Sequence, residues 1–362
     1  MNPNPGRIRV LVVDDSLVIR RLVTEALAQD PVIEVVGIAQ NGKIALEKVA
    51  ELKPDAVTMD IEMPIMNGIE AVRALRRSNP RLPVVMFSTL TERGASATLD
   101  ALAAGASDYV TKPSNVGSFA ESQANIRDQL IPKLKALAGT RRVVGAPQRP
   151  PAPAPRPPRQ RSGPFTVLAI GSSTGGPDAL AAVLPALPAD LPVPVLVVQH
   201  MPALFTRLLA ERLDTGCPLK VSEAAEGDVI AAGRVLIAPG GKHMLPVRKG
   251  SGMVVHLTED PPENFCRPSV DVLFRNVASA YGDRVLAVVL TGMGRDGEKG
   301  AKAIRDAGGE VVAQDEATSV VWGMPGAVTT AGQADKVLPL PRIGPETAAA
   351  LSRGPAPVGV TS

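Results

Sequence analysis

The sequence predicts an α/β protein built from two doubly wound parallel-sheet domains, and three observations lead to this fold class. Short apolar runs alternate with segments of helical periodicity in both halves of the 362 residues. The strand-like runs are mostly apolar from end to end, which is typical of strands buried on both faces of a parallel sheet. A segment rich in Pro and Arg separates the two halves. The chain is long enough for two such units.

The first domain is predicted to cover residues 1–138. Its strand-like runs are RIRVLVV, VIEVVGIA, AVTMD, LPVVMFS and YVTKP. The first four runs are each followed by a segment of helical period, namely SLVIRRLVTEALAQ, KIALEKVAEL, IEAVRALRRS and SATLDALAAG. Strands that alternate with helices in this way predict a parallel sheet with helices on both of its faces.

A linker is predicted over residues 139–163, where the chain reads GTRRVVGAPQRPPAPAPRPPRQRSG. Proline fixes φ and removes hydrogen-bond donors, so we expect an extended segment without a core. The second domain is predicted over residues 164–353, with the strand-like runs TVLAIGSS, VPVLVVQH, RVLIAP, MVVHL, RVLAVVLTG and GEVVAQ. Residues 354–362 are expected to form a loose tail.

The charge distribution excludes a broad nucleic-acid surface. The formal charge is +3, and six Arg without any acidic residue lie between Arg141 and Arg161, so removing these six charges leaves −3 for the rest. Phosphate-backbone binding needs an extended basic face. We therefore expect no nucleic-acid partner.

The sequence predicts a protein of the cytoplasm that is not inserted in a membrane. The N-terminal apolar run ends at Asp14 and is too short for a signal peptide, and no run reaches the ~18 apolar residues of a spanning helix. Cys217 and Cys266 lack paired spacing, which favours reduced thiols with a structural role.

A cluster of polar side chains is predicted at one edge of the first sheet, because ligands of doubly wound sheets bind at the carboxyl ends of the strands. Asp14 and Asp15 end the first predicted strand, and Asp60 ends the third. Three close carboxylates call for a divalent cation, and oxygen ligands suit Mg²⁺, which would also offset the charge of a phosphoryl group. Ser88 and Lys112, after the fourth and fifth strands, face the same crevice.

These motifs over residues 7–138 resemble a response-regulator receiver domain, which implies a flavodoxin-like fold. By this resemblance, Asp60 is the phosphorylated residue and binds Mg²⁺ together with Asp14 and Asp15. Ser88 and Lys112 are implied to sense the phosphoryl group. Tyr109 matches the aromatic switch position, and Lys112-Pro113 resembles the cis bond of that family. A single Asp at a strand end often caps a helix instead, but five matches in order favour the phosphoacceptor site.

A second site is predicted at strand ends of the second domain. The segment GSSTGG at 171–176 joins a strand to a helix, where backbone N–H groups can hold a developing anion. It lacks the spacing of a nucleotide-binding loop. His200 ends the next strand, and Asp296 follows the strand RVLAVVL. A Ser, a His and an Asp can converge there as nucleophile, general base and orienting acid, although the spacing does not separate Ser172 from Ser173.

Residues 164–353 resemble the catalytic domain of the chemotaxis methylesterases, a Rossmann-like domain. The motifs that carry the resemblance are IGSSTGG, QHMP, APGGKHM, RPSVDVLF, LTGMGRDG and GMPGAV. By this resemblance, Ser173 is the nucleophile, His200 the base and Asp296 the orienting acid. Thr174 is implied to lie beside the nucleophile, and the Met293 N–H is implied to lie in the oxyanion hole. No cofactor is expected in this domain.

The two resemblances imply a phosphorylation-activated hydrolase that demethylates glutamate methyl esters and deamidates glutamines on methyl-accepting chemotaxis receptors. The implied partners are the cytoplasmic domain of these receptors and the histidine kinase of the chemosensory complex. One alternative is the same chemistry in a non-flagellar chemosensory array. Another is a receiver-controlled binding protein such as a transcription factor, which the lack of a basic recognition helix disfavours. Arg267 is a candidate guide for an acidic substrate, with helix capping or ion pairing as its alternative role.

Overall fold

The computed structural model describes residues 6–112, 118–142 and 162–352, with no account of the side chains of 140–142. The chain divides into two compact units, Met1–Gln148 and Arg149–Ser362. Most of the predicted linker, residues 143–161, lies outside the described residues, as do Pro113 and the predicted tail. No helix among the described residues is long and apolar enough to cross a membrane.

The first unit is a five-stranded parallel sheet with five helices. Its strands are β1 (Ile8–Val13), β2 (Ile33–Ala39), β3 (Ala56–Asp60), β4 (Val84–Ser88) and β5 (Asp108–Thr111). Its helices are α1 (Leu17–Ala28), α2 (Gly42–Leu52), α3 (Gly68–Ser78), α4 (Glu92–Ala103) and α5 (Phe119–Arg142). The strand order is β2-β1-β3-β4-β5, which is the flavodoxin-like order. The predicted fold class of this unit is confirmed. Helix α5 continues to Arg142 and so passes Gly139, where the linker was predicted to begin.

Polar side chains fix the helix starts of this unit. Ser16, Asn41, Asn67 and Thr91 each accept a hydrogen bond from a backbone N–H in the first turn of α1, α2, α3 and α4 respectively. These caps satisfy donors that have no partner inside the helix. Each connecting loop therefore leaves its strand end and turns directly into a helix, so the strand-end side chains stay at one edge of the sheet.

The second unit contains nine strands and six helices. Its strands are β6 (Val167–Ser172), β7 (Val195–Gln199), β8 (Lys220–Glu223), β9 (Arg234–Ile237), β10 (His243–Lys249), β11 (Gly252–Thr258), β12 (Val285–Val289), β13 (Glu310–Gln314) and β14 (Lys336–Leu338). Its helices are α6 (Gly176–Val183), α7 (Ala203–Gly216), α8 (Val270–Tyr281), α9 (Glu298–Asp306), α10 (Met324–Thr330) and α11 (Leu340–Ser352).

Seven of these strands form one sheet in the order β14-β13-β12-β6-β7-β9-β8, and all of its pairings are parallel. This order is Rossmann-like, with β9 inserted between β7 and β8. The chain reverses its direction of winding at β6, which lies between β7 and β12. The carboxyl ends of these three strands therefore border the crevice in which doubly wound sheets bind ligands.

The remaining two strands, β10 and β11, pair antiparallel as a separate hairpin. The run MVVHL, which the alternation of elements placed with the parallel strands, belongs to this hairpin. The burial pattern of β11 explains why this run pairs in a hairpin and not in the parallel sheet. Val255 is buried, while both of its neighbours in β11 are at least partly exposed. A strand with one solvated face is typical of antiparallel pairing.

Candidate functional site

The carboxylates at the edge of the first sheet lie together as predicted. Asp14 follows β1, Asp60 ends β3, and both are buried, whereas Asp15 is exposed. One oxygen from each of the three lies within 4.8 Å of the others. Three carboxylate donors at this spacing fit a hard divalent cation such as Mg²⁺, which usually keeps several of its waters.

Lys112 bridges the two buried carboxylates of this cluster. Its Nζ lies 3.0 Å from Asp14 Oδ2 and 2.9 Å from Asp60 Oδ1. Burial, together with the charge of Asp14, raises the pKa of Asp60 to about 6. Burial alone would lower the pKa of Lys112, but its contacts with Asp60 and Asp14 raise it. The ammonium therefore stays charged and partly neutralises the acidic cluster.

Ser88 ends β4, and among the described residues no hydrogen bond joins its hydroxyl to Asp60. Its buried Oγ accepts a hydrogen bond of 2.5 Å from Thr98 Oγ1 and lies 3.2 Å from the carbonyl oxygen of Thr89. Tyr109 lies on β5 and is 8% exposed, and burial raises its pKa well above the ordinary value. The hydroxyl of Ser88 thus faces the start of α4 in this conformation.

The two adjacent serines of the second site have different surroundings. Ser172, the last residue of β6, is fully buried, and its Oγ donates to Gln199 Oε1 at 2.7 Å. The Gln199 amide donates in turn to the carbonyl oxygens of Ser173 (3.0 Å) and His200 (3.2 Å). Ser172 therefore helps to join the ends of β6 and β7. Ser173 is half-buried and is free of that network except through its carbonyl oxygen.

The turn after β12 packs directly against Ser173. The Ser173 N–H donates to the carbonyl oxygen of Thr291 at 3.0 Å, and a Cβ at Gly292 would lie 2.8 Å from Ser173 Cβ. Glycine is required there by this close approach. Thr291 Oγ1 also donates to the buried Thr174 at its carbonyl oxygen. Within the described part of the chain, the Met293 N–H donates to no acceptor, so it remains available to a ligand.

His200 and Asp296 form the polar pair that the sequence predicts. His200 follows β7, and its Nε2 lies 2.8 Å from Asp296 Oδ2. Among the described residues, no hydrogen bond joins the hydroxyl of Ser173 to the imidazole. The structure therefore brings the base and the acid together and places the serine on the neighbouring strand end without closing the triad. Such bonds often tighten only when substrate binds.

The Asp296 carboxylate is held by four donors besides the imidazole. Ser269 Oγ donates at 2.8 Å, Asn264 Nδ2 at 2.9 Å, the Val270 N–H at 2.7 Å and the Asp271 N–H at 3.1 Å. Three of them belong to the start of α8, where Ser269 is the N-cap. Sequence reasoning missed these supporting residues, although the capping pattern SVDV is a signal for the helix start.

Hydrogen bonds favour the ionised carboxylate of Asp296 and the protonated imidazole of His200. Burial alone would raise the pKa of Asp296, but the bonds from His200 and the backbone lower it to about 2. Burial alone would lower the pKa of His200, but the bond to Asp296, with a smaller effect of Cys266, raises it to about 9. Because the ionised carboxylate can only accept, the imidazole donates through Nε2. Nδ1 is then the nitrogen left to act as a base.

Cys266 is the neighbour of Nδ1, and the sequence did not indicate this. Its Sγ lies 3.6 Å from His200 Nδ1. Cys266 closes a tight turn in which Asn264 and Phe265 both have positive φ, and it exchanges two backbone hydrogen bonds with Glu263. The contact joins residues 66 positions apart in the chain, so no local pattern could have revealed it. The prediction of a purely structural thiol does not describe this position.

Arg267 makes backbone contacts that the sequence did not indicate, and its role as a guide for an acidic substrate stays a prediction. Its Nη1 donates to the backbone carbonyl oxygens of Glu259 (2.6 Å) and Asp260 (3.1 Å). These bonds hold the segment that precedes the turn at Cys266. They are neither a helix cap nor an ion pair, and they leave the orientation of the guanidinium fixed by the protein itself.

The comparisons with known proteins agree with the two predicted domains. A family profile described as CheB methylesterase matches residues 168–347, and one described as a response regulator receiver domain matches residues 10–122. A protein-glutamate methylesterase/protein-glutamine glutaminase from a Nocardioides species is 57% identical over 356 residues, which are 96% of each chain. A protein of the same name from Trichodesmium erythraeum is 46% identical and is covered over 98% of its length.

A solved structure extends the comparison to the second unit. The crystal structure of the Thermotoga maritima CheB methylesterase catalytic domain is 42% identical, with a TM-score of 0.50 over 51% of this chain and 98% of that one. The similarity to the full-length relatives covers both units and the order in which they occur. This chain therefore belongs to the protein-glutamate methylesterase/protein-glutamine glutaminase family.

Proposed function

We propose that this protein is a phosphorylation-activated serine hydrolase that removes methyl groups from glutamate esters, and amide groups from glutamines, on methyl-accepting chemotaxis receptors. The observation that carries the proposal is the pairing of His200 with Asp296 at 2.8 Å, beside the strand end that presents Ser173. The names of the full-length relatives support the substrate class.

The proposed reaction begins with Ser173. Its Oγ attacks the carbonyl carbon of a glutamyl methyl ester while its proton passes to His200 Nδ1. The imidazolium is stabilised by Asp296. Four further hydrogen bonds to the Asp296 carboxylate keep it ionised. The carbonyl oxygen becomes an oxyanion, and the Met293 N–H, which has no other acceptor in the described residues, is the donor proposed to hold it. Thr174 is proposed to lie beside the nucleophile Ser173.

The reaction then proceeds in two stages, acylation and deacylation of Ser173. The bond to the methoxy group breaks, and His200 returns the proton so that methanol leaves and an acyl-enzyme remains. Water attacks this ester and gives its proton to His200, and the second tetrahedral intermediate then expels Ser173 Oγ, which takes the proton back from His200 as the glutamate is released. The same steps on a glutamine side chain release ammonia. One site therefore serves both reactions.

The receiver unit is proposed to control this site through phosphorylation of Asp60. A Mg²⁺ ion held by Asp14, Asp15 and Asp60 would offset the negative charge of the incoming phosphoryl group. Lys112 already lies 2.9 Å from Asp60 and can bind a phosphoryl oxygen there. Ser88 would have to turn its hydroxyl away from its present acceptors to make the same contact.

The proposed partners follow from this chemistry. The substrate is the cytoplasmic domain of a chemotaxis receptor, and the phosphoryl donor is the histidine kinase of the same chemosensory complex. Hydrolysis on the cytoplasmic domain of the receptor and phosphorylation by the kinase would both place the protein in the cytoplasm. The catalytic unit itself is proposed to act without a cofactor.

The decisive experiment measures methanol release from a receptor fragment carrying radiolabelled methyl esters, with and without a small phosphodonor. We expect release by the wild-type protein and a faster rate with acetyl phosphate and Mg²⁺. Ser173→Ala serves as the inactive control. If wild type releases no methanol under either condition, the assignment as a methylesterase is wrong.

A further inference from the structure

The proposed reaction uses the imidazole of His200 but not the thiol of Cys266, and these two groups together form a pair of possible metal ligands. Both cysteines are free and half-buried. The Cys266 Sγ lies 3.6 Å from His200 Nδ1, while the opposite nitrogen of the ring is bonded to Asp296. An oxygen of that carboxylate, a ring nitrogen and the sulfur all lie within 4.8 Å of one another.

The position of this thiol is fixed by a strained turn. Asn264 and Phe265 adopt left-handed conformations with φ of 52° and 63°, and the Phe265 side chain is fully exposed. A non-glycine residue in this region is strained, so the turn needs support from its neighbours. Asn264 supplies it by donating to Asp271 and Asp296 at 2.9 Å each. The turn thus holds Cys266 against the imidazole.

We propose that Cys266 Sγ and His200 Nδ1 bind a zinc ion. Thiolate and imidazole are the donors that Zn²⁺ prefers, with Zn–S of about 2.3 Å and Zn–N of about 2.0–2.1 Å. In a tetrahedral site these lengths place the sulfur and the nitrogen about 3.6 Å apart, which is the separation found here. The separation of the pair therefore matches a tetrahedral zinc site, in which water would complete the tetrahedron.

Asp296 supports the proposed zinc site through a hydrogen bond to the opposite nitrogen of the imidazole ring. A metal-bound histidine usually donates its other N–H to a carboxylate, which fixes the tautomer and increases the basicity of the ligand. His200 Nε2 already makes this bond to Asp296 at 2.8 Å. Binding releases the thiol proton and the Nδ1 proton to water, because the metal binds the thiolate and the neutral imidazole.

This site differs chemically from the acidic cluster of the receiver unit. Asp14, Asp15 and Asp60 offer only oxygen atoms, which suit Mg²⁺. The sulfur of Cys266 selects softer ions such as Zn²⁺. Excess Mg²⁺ can therefore occupy the first site without competing for the second.

Zinc at this position would inhibit the hydrolase, and this consequence rests on the proposed function. The metal occupies the lone pair of Nδ1, which is the group proposed to take the proton of Ser173. The binding site itself does not depend on the reaction. A metal-binding assay and an activity assay therefore test the two proposals separately.

The binding test uses the full-length, reduced protein in saturating Mg²⁺ and follows Co²⁺ as a spectroscopic probe. We expect a thiolate-to-cobalt absorption band in the near ultraviolet, with visible bands typical of tetrahedral coordination, and we expect Zn²⁺ to displace the probe. Cys266→Ser should abolish the thiolate band and weaken Zn²⁺ binding at least tenfold. Cys217→Ser is the matched control and should retain both, since Cys217 lies 3.6 Å from a backbone carbonyl, that of Leu184.

Three results would overturn the zinc site: cobalt binding without a thiolate band, a band that survives Cys266→Ser, or a band lost in Cys217→Ser. The S–H···N hydrogen bond alone would give the first result. Circular dichroism of each variant checks that its fold is retained. In methanol release, Zn²⁺ should inhibit wild type reversibly, and Cys266→Ser should tolerate at least tenfold more Zn²⁺. A thiolate band in a protein without hydrolase activity would support the metal site and contradict the proposed function.

Discussion

At the scale of single residues, the two adjacent serines are expected to separate function from stability. Ser173→Ala should lower methanol release by on the order of 10³-fold or more, because it removes the proposed nucleophile. Its effect on unfolding should be small. Ser172→Ala leaves the buried Gln199 oxygen without its donor at 2.7 Å, so we expect a loss of about 1–3 kcal/mol in stability with most of the activity retained. Denaturant titration and the methanol assay measure both effects.

The opposite pattern has a definite meaning. If Ser172→Ala abolishes turnover in a folded protein while Ser173→Ala does not, the nucleophile has been assigned one residue too late. The carbonyl oxygens of Ser173 and His200, which the Gln199 amide holds, would then need a different role.

His200 gives a prediction about pH. Its pKa is raised from 6.5 to about 9, so the imidazole carries a proton at neutral pH and becomes a base only on the alkaline side. We expect kcat/KM to rise with pH through a midpoint near the His200 pKa of about 9. Asp296→Asn should move the midpoint downward, because the imidazolium loses its partner, and should also lower the rate by on the order of 10⁴-fold.

The raised pKa of His200 also predicts how the stability of the protein depends on pH. Because the folded pKa of His200 lies above the unfolded one, its contribution to stability is fully present below pH 6.5 and is lost as pH rises through about 9. The pKa of Asp296 is lowered instead, so its contribution is present above pH 3.8 and is lost as pH falls through about 2. Nuclear magnetic resonance can follow the ring directly, since the chain has only three histidines. A His200 resonance that titrates near 6.5 would contradict the expected profile.

Asp60 is expected to be the phosphoryl acceptor. Asp60→Asn should abolish labelling by acetyl phosphate and Mg²⁺ and leave only basal esterase activity. Asp55→Asn is a suitable control, because it changes a carboxylate of the same unit that bonds the Arg9 N–H. Mass spectrometry of the labelled protein identifies the site, and labelling that survives Asp60→Asn would mean that another residue accepts the phosphoryl group.

The residue scale also shows the limit of sequence reasoning. Asp14, Asp60 and Lys112 could be grouped in advance because each stands at the end of a buried strand, and parallel strands end at one edge. The turn that carries Cys266 and Asn264 could not be placed in this way. Its contacts with His200 and Asp296 depend on side-chain packing between distant segments, and they leave no periodic pattern in the chain.

At the scale of elements, the predicted strands are those with continuous apolar burial. β3, β4, β6, β7 and β12 are buried at every position, and their runs were visible in the sequence. β8, β10 and β14 were not predicted, and the reason is clearest for β8 and β14. They have only four and three residues, lie at the two edges of their sheet and expose several side chains, so neither apolar content nor alternation marks them.

The contact between the ends of β6 and β12 gives an element-scale prediction. In Gly292→Ala the new methyl group would lie 2.4 Å from Met324 Sδ and 2.8 Å from Ser173 Cβ, so the turn must move. We expect a destabilisation of about 1–3 kcal/mol and, since a displacement of ~1 Å can cost about 10²-fold in rate, a loss of that order in methanol release.

Gly252→Ala is the matched control for this variant. A Cβ at Gly252 has no atom within 4 Å, so both stability and rate should stay near wild type. Equal activity of the two variants would show that the turn after β12 tolerates movement, and the position of Ser173 would then not depend on it.

At the scale of the whole molecule, the question is how a phosphoryl group on one unit changes hydrolysis on the other. Each unit has its own sheet and its own buried core. A catalytic domain of a relative has been solved as a separate molecule. We therefore expect the second unit to fold alone, and the signal to act through the way in which the units associate.

We predict that the unphosphorylated receiver inhibits the catalytic unit and that phosphorylation of Asp60 shifts a pre-existing equilibrium toward the uninhibited form. A coupling of ~1–3 kcal/mol corresponds to a change of several-fold to about a hundredfold. Cleavage near Pro151, within the Pro/Arg-rich segment, should yield a catalytic fragment that exceeds the unphosphorylated full-length protein by this factor. Its rate should not respond to acetyl phosphate.

The control is the intact Asp60→Asn protein, which retains the receiver but lacks the acceptor and should stay at the basal rate. Steady-state methanol release by the three proteins, with and without phosphodonor, separates two modes of regulation. Release from inhibition makes the fragment faster than the basal rate. If the fragment is slower than the intact unphosphorylated protein, the receiver must activate by direct contact, because removing it would then remove a stabilising interaction from the catalytic unit.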